Sequence, residues 1–213
     1  GLPRDLAFLP FIESGFSPNA VSSAGAAGMW QFMPFTGRKY GLRCDSWMDE
    51  RRDPYQATRA AAAYLKKLHE IFGDWTLAVA AYNAGEGKIG RARAATNSRD
   101  FFELHRRNDS LEGSLRLKEE TLDYVPRFIA MVKIALHFEE LGLGRINERN
   151  APELATLTLR PRTDLQDLAR CSGVDWETFR ELNPAFHRQA SPPDRECMVY
   201  VPAACAASAR EYA

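Results

Sequence analysis

The chain has 213 residues, 45% of them hydrophobic, enough for one large domain or a medium domain with a small module. Its 28 basic and 28 acidic residues balance, which argues against nucleic acid as the main partner, since phosphate binding leaves a basic excess or stripe. No stretch approaches the ~20 consecutive apolar residues of a membrane span. The short basic clusters Arg91–Arg93 and His105–Arg107 read as solvated helix faces.

Residues 1 to about 145 read as nearly all helix. Leu6-Ala7-Phe8-Leu9 opens a short apolar helix that runs into Glu13. A long helix is expected after Pro54, over Gln56–Phe72: Pro suits a first turn, Ala60–Ala63 favours helix, and Gly73 stops it. Its apolar face is Tyr64, Leu65, Leu68, Ile71 and Phe72. Trp75–Asn83 is a second helix, ended by Ala84-Gly85, and Lys88–Ala95 a short one. Residues 96–117 are polar and irregular, with a brief helix at Phe101–His105. Glu119–Leu141 is a third long helix whose buried side is Val125, Phe128, Ile129, Val132, Ile134 and Leu136, with Gly142 and Gly144 as breakers. These residues form one helical domain, 1–145.

Residues 146–155 read as a linker, and 156–213 as a small α+β module with a tail. The module has a strand at Leu157–Leu159 and a helix at Asp164–Cys171 capped by Thr163 or Asp164. A helix at Asp175–Leu182, stopped by Asn183-Pro184, and a strand at Val199–Val201 complete it. Four cysteines (Cys44, Cys171, Cys197, Cys205) fit no zinc or CxxC spacing. They are either free thiols or partly paired, with Cys171–Cys197 a candidate local bridge. No metal or cofactor motif is present, and none is expected. The start at Gly1-Leu2-Pro3 has no signal-peptide pattern and reads as the beginning of a piece of a longer precursor.

The stretch from Phe11 to Phe32 is the most informative. Glu13 follows an apolar lead-in. If that site is buried, desolvation raises the carboxyl pKa, and a raised pKa lets a glutamate donate a proton near neutrality. A lone Glu at a helix end more often faces water, so Glu13 by itself decides nothing. Its companions change the balance. Ser22 and Gln31 lie in a Gly/Ala/Ser-rich segment that permits close approach of a ligand to backbone. Ala81-Tyr82-Asn83-Ala84-Gly85 places an aromatic and an amide at a helix end. Glu120 and Tyr124 add a carboxylate and a second tyrosine on one helix. Flat aromatic faces, amides and one acid suit a sugar groove.

The ordered set Glu13-Ser14-Gly15, Gly28-Met29-Trp30-Gln31, Ala81-Tyr82-Asn83-Ala84-Gly85 and Glu120 with Tyr124-Val125-Pro126 resembles the family 1 lytic transglycosylases, and within them the membrane-bound murein transglycosylase D type. The resemblance implies a mainly α, lysozyme-like (goose-type) domain whose groove holds peptidoglycan glycan strands. It implies Glu13 as catalytic acid/base, and Ser22, Met29, Gln31, Tyr82, Asn83, Glu120 and Tyr124 as substrate-side residues. Glu120 stands behind the site, while Ser14, Gly28 and Gly85 have structural roles nearby. Residues 156 to about 205 resemble a LysM-like module, carried by Thr163–Ala169, Val174-Asp175-Trp176, Leu182-Asn183-Pro184 and Val199–Pro202. Its missing Gly-Asp turn and long polar loop at Arg188–Glu196 leave two readings: a working glycan reader, or a degenerate module packed on the catalytic domain.

Two-carboxylate glycosidases flank the scissile bond with both acids. The resemblance supplies only Glu13, so the implied reaction is non-hydrolytic cleavage of the β-1,4 bond after N-acetylmuramic acid, closing a 1,6-anhydro ring. The alternatives are a goose-type lysozyme-like hydrolase of the same bond, and a non-catalytic peptidoglycan binder. The implied location is the periplasm or cell envelope, with membrane contact only through a lipid anchor outside this stretch.

Overall fold

The computed structural model describes residues 1–144 and 153–212. The helices are α1 (Leu9–Ser14), α2 (Pro34–Lys39), α3 (Pro54–Phe72), α4 (Trp75–Ala84), α5 (Glu86–Thr96), α6 (Phe101–Arg106), α7 (Glu119–Leu136), α8 (Leu165–Cys171), α9 (Trp176–Leu182) and α10 (Ala206–Tyr212). Strands β1 (Leu154–Leu159) and β2 (Cys197–Pro202) pair with each other. The chain divides into two compact units: residues 1–15 with 58–144, and residues 16–57 with everything after 144. The expected linker, 146–155, lies mostly outside the described residues, and its last two residues already belong to β1.

The first unit is all helical. A 3-10 turn at Arg4–Phe8 leads into α1, which stops where Gly15 takes φ +61 and donates its N–H to the Phe11 carbonyl at 3.0 Å. That left-handed cap places Glu13 in the last turn of a six-residue helix. At the centre lies α4, where Leu77 to Ala81 are all buried. A helix without a polar face must be surrounded, and α5, α6 and α7 contact it. Its start is set by Asp74, which accepts from the Leu77 N–H at 2.8 Å. From α3, Tyr64, Leu65, Leu68 and Phe72 are buried as expected, but Ile71 in the last turn is exposed.

The expected third long helix ends earlier than its apolar pattern. α7 stops at Leu136, where His137 leaves helical geometry at φ −113 and ψ 25. Val125 is buried and Phe128, Ile129 and Val132 are half-buried. Ile134 and Leu136 are exposed at 39% and 68%, which corrects the expected buried face. Ile134 lies two residues from Val132 and so on the opposite side of the helix. Leu136 lies on the stripe, in the final turn, and is left uncovered there.

In the second unit, β1 and β2 pair antiparallel with Leu157 opposite Val199 and Leu159 opposite Cys197. Asp164 caps α8 by accepting from the N–H groups of Gln166 and Asp167, and Asp175 caps α9 from Thr178. The core beneath the sheet joins Leu157, Leu159, Leu165, Leu168, Phe179 and Val199, and a residue from far upstream, Met48, completes it. α10 packs on α8 and β1. All four cysteines are free. Cys171 is exposed at the end of α8, whereas Cys197 is buried in the sheet core, where burial pushes its thiol up to about 11. The candidate Cys171–Cys197 bridge is therefore absent.

The segment 16–57 joins this module through backbone pairing. Met48 bridges to Phe186, the Asp49 N–H donates to the Ala185 carbonyl at 2.8 Å, and the His187 N–H donates to the Trp47 carbonyl at 2.8 Å. Asp53 accepts from the N–H groups of Tyr55 and Gln56 at the start of α3, and from the Tyr200 hydroxyl of β2 at 3.2 Å. The Tyr55 and Tyr200 rings are in contact, tilted by 37° with centroids 4.6 Å apart.

Candidate active site

Glu13 is half-buried on α1, and the Tyr124 hydroxyl of α7 donates to its Oε1. Burial raises its pKa from the ordinary 4.5 to about 7. The Tyr124 hydrogen bond opposes that rise, the Glu120 charge adds to it, and the Arg127 charge opposes it. The balance leaves a carboxyl that is part protonated at neutral pH while still reachable from outside. That combination is what proton donation to a bound molecule requires.

The surroundings of Glu13 come from three helices. Tyr124 is 4% exposed, and burial with the adjacent Glu13 carboxyl keeps its hydroxyl well above the ordinary tyrosine range, so it stays a donor. Tyr82 on α4 is held protonated in the same way, by burial first and then by the Glu13 and Tyr64 charges. Its ring lies against Tyr64 of α3, centroids 5.3 Å apart, and the Tyr64 hydroxyl donates to Glu86 Oε2 at 3.0 Å. Asn83 accepts from the Thr121 hydroxyl at 3.0 Å through Oδ1. Glu120 is exposed in the first turn of α7 and acts on Glu13 by its charge. Ser14 donates back to the Pro10 carbonyl at 3.3 Å within α1, and Gly85 links α4 to α5.

Ser22, Gly28, Met29 and Gln31 belong to the second unit, in a tight loop. Ser22 closes the first turn: its Oγ accepts from the Ala26 N–H at 3.0 Å, and its N–H donates to the Ala26 carbonyl at 2.9 Å. Met29 is half-buried between the buried Gly28 and Trp30. Gln31 holds φ +48, uncommon for a residue with a side chain, and its amide Nε2 donates to the carbonyls of Gly28 at 2.8 Å and Ala20 at 3.3 Å. With Nε2 so engaged, its Oε1 is left as an acceptor. Gly28, at φ +81, has no room for a side chain: a Cβ would come within 1.8 Å of the Arg51 carbonyl oxygen.

Arg51 organises the whole loop. It is 7% exposed and gives Nη1 to the carbonyls of Gly25 at 2.8 Å and Phe32 at 3.0 Å. Its Nε and Nη2 grip both oxygens of Asp49, at 2.9 and 2.7 Å. Burial pushes the Asp49 carboxyl up, but the Arg51 bonds and charge outweigh it and hold the carboxyl below the ordinary range. Sequence reasoning missed Arg51, Asp49, Thr121 and Tyr64. Thr121 carried a readable signal, sitting three residues before Tyr124 on the same helix face. Arg51 carried none, because a buried arginine has no pattern of its own.

Comparison with known proteins places the chain among relatives. A model described as "Transglycosylase SLT domain" matches residues 2–105, and one described as "Lytic transglycosylase MltD, LysM-like domain" matches residues 153–213. Membrane-bound lytic murein transglycosylase D of Escherichia coli K12 is 35% identical over 187 residues, 85% of this chain and 39% of that protein.

The chain belongs to the lytic transglycosylase family.

It spans about two fifths of the length of that curated relative. Among solved structures, the 70 kDa soluble lytic transglycosylase of Escherichia coli matches with a TM-score of 0.53 at 23% identity, covering 65% of this chain and 22% of its own. A Pseudomonas aeruginosa lytic transglycosylase, solved as an inactive glutamate-to-glutamine mutant, matches with a TM-score of 0.50 at 26% identity, covering 70% of this chain and 24% of its own. These likenesses give this lytic transglycosylase chain its lysozyme-like helical fold. Its second match accounts for the small sheet and helices after residue 153.

Proposed function

We propose that this chain cleaves peptidoglycan glycan strands without water, and that Glu13 is both acid and base. The observation that carries this reading is the half-buried Glu13, raised to about 7 and held by the Tyr124 hydroxyl. Protonated Glu13 donates to the oxygen of the β-1,4 bond linking N-acetylmuramic acid to N-acetylglucosamine. The bond to the muramic anomeric carbon breaks, and the 2-acetamido oxygen of the same sugar stabilises the cationic centre. Carboxylate Glu13 then takes the proton from the muramic 6-hydroxyl, whose oxygen closes on the anomeric carbon. Glu13 ends as it began, and the product carries a 1,6-anhydro ring.

Tyr124 supports both halves of this cycle, because a hydroxyl donor steadies the carboxylate form without removing the acid form. Tyr82 and Asn83 are adjacent on α4, and we assign them to sugar contacts. Ser22, Met29 and Gln31 are assigned to glycan contacts. Glu120, exposed on α7, tunes Glu13 by charge. The cell envelope is the proposed location, in line with the membrane-bound relative, and no described helix is long and apolar enough to cross a membrane.

Mass spectrometry of fragments released from purified sacculi tests the reading. Anhydro ends are expected. Ordinary reducing ends, one water heavier, would assign the chain to the hydrolases instead. Glu13→Gln should lower turnover by roughly 10²–10⁴-fold with an unchanged fold, the usual worth of a positioned proton donor.

A further inference from the structure

The second unit contains a cleft of about 610 Å³ whose lining includes none of the residues placed around Glu13. Arg52 and Asn19 of the 16–57 segment contribute to it, together with α9 and the residues that follow. The volume falls within the range of small-ligand sites. Unlike most such sites, this one is lined by charges of both signs.

Arg52 shows that the lining is incomplete as it stands. Its Nη2 donates to Asn19 Oδ1, but its Nε is buried and donates to nothing among the described residues. A charged donor left unmade is costly, so the Arg52 guanidinium favours an acceptor brought against it. Along α9, Trp176 and Arg180 stand four residues apart, as do Glu177 and Glu181, and all four line the cleft. Like charges at that spacing repel each other, although Glu177, in the first turn, also favours the helix N-terminus. The side chains of Glu177, Arg180 and Glu181 are exposed and have no ion-pair partner among the described residues.

We propose that this cleft binds a short peptide carrying both carboxylate and ammonium groups, the chemistry of the peptidoglycan stem peptide. A carboxylate pairs with the Arg52 and Arg180 guanidinium groups, an ammonium group lies between Glu177 and Glu181, and the aliphatic part of the peptide covers the Trp176 ring. A neutral N-acetylglucosamine oligomer would leave all four charges unused. The choice of stem peptide rests on the proposal that the chain acts on peptidoglycan; the cleft and its charges do not.

Calorimetry with the full chain carrying Glu13→Gln separates the outcomes. The probes are a glycan-free tetrapeptide containing diaminopimelate and the neutral chitotetraose. The tetrapeptide should bind, and Arg180→Ala and Glu181→Gln, both on an exposed helix face, should each weaken it about tenfold. Added salt should weaken it further. No heat at about 1 mM tetrapeptide, equal affinity in both variants, or displacement by chitotetraose would overturn the assignment. Cleavage of sacculi by the unsubstituted chain is read separately. Anhydro products without peptide binding leave the enzyme reading standing and remove this one. Peptide binding without cleavage does the reverse.

Discussion

At the scale of the residue, the role proposed for Glu13 couples activity to pH through one proton. Donation needs the protonated carboxyl, so kcat/KM is expected to fall as pH rises through about 7. A profile flat from pH 6 to 9 would remove Glu13 from the acid role. The Tyr124 hydrogen bond favours the carboxylate, so Tyr124→Phe should raise the Glu13 pKa and move the alkaline limb to higher pH. A shift to lower pH would contradict the geometry. The same proton affects stability. Because the folded-state pKa lies above the ordinary 4.5, folding disfavours the ionised form. The resulting penalty is absent below pH 4.5 and complete above about 7. Allowing for partial exposure, it amounts to roughly 2 kcal/mol. Denaturant titrations at pH 5 and pH 8 should therefore show Glu13→Gln gaining more stability relative to the parent chain at the higher pH.

At the scale of the element, the Ser22–Gln31 loop has little regular structure and keeps its shape through Arg51 and Gly28. Arg51→Lys keeps the charge but cannot serve two carbonyls and both Asp49 oxygens at once. It should cost roughly 3 kcal/mol, as for a broken buried pair, and raise KM more than it lowers kcat. An unchanged KM would show that the loop does not touch substrate. Gly28→Ala puts a methyl group into the Arg51 carbonyl at a φ of +81, and should be at least as damaging in a chemical melt. Neither change touches the first-unit residues that set the Glu13 pKa, so the pH profile should stay where it is. By contrast α4 needs no such device, because Leu77 to Ala81 place it in the core by burial alone.

At the scale of the molecule, the chain is interleaved. The segment 16–57 leaves α1, folds with the residues after 144, and returns through α3. Met48 is the plainest mark of this, a side chain 3% exposed in the core of the LysM-like module. Met48→Ala should destabilise that unit by roughly 2–5 kcal/mol, and calorimetric scanning should show the loss. A change below ~0.5 kcal/mol would mean the module's core is complete without it. Much of this protein was legible as sequence. Helical periodicity with Pro54 and Gly73 located α3, Asp164 and Asp175 announced their helices, and the ordered motifs pointed to Glu13, Tyr82, Asn83 and Tyr124. The helix signals are local, set by backbone propensity, capping and face periodicity within a few residues, whereas the site residues came through the family resemblance of the motifs. Other features depended on packing that no short stretch of sequence reports: the exposed end of α7, the free Cys197, the reach of Arg51 to the Gly25 and Phe32 carbonyls, and the insertion of Met48. The Glu13 pKa belongs with them, since α1 alone would leave that carboxyl in water at its ordinary value. Only its enclosure by protein, against the opposing hydrogen bond from Tyr124, 111 residues away in sequence, brings it to about 7. The amino-acid sequence by itself supplied the candidate residues; tertiary structure decided their protonation, because desolvation is a property of what surrounds a group and not of the group itself.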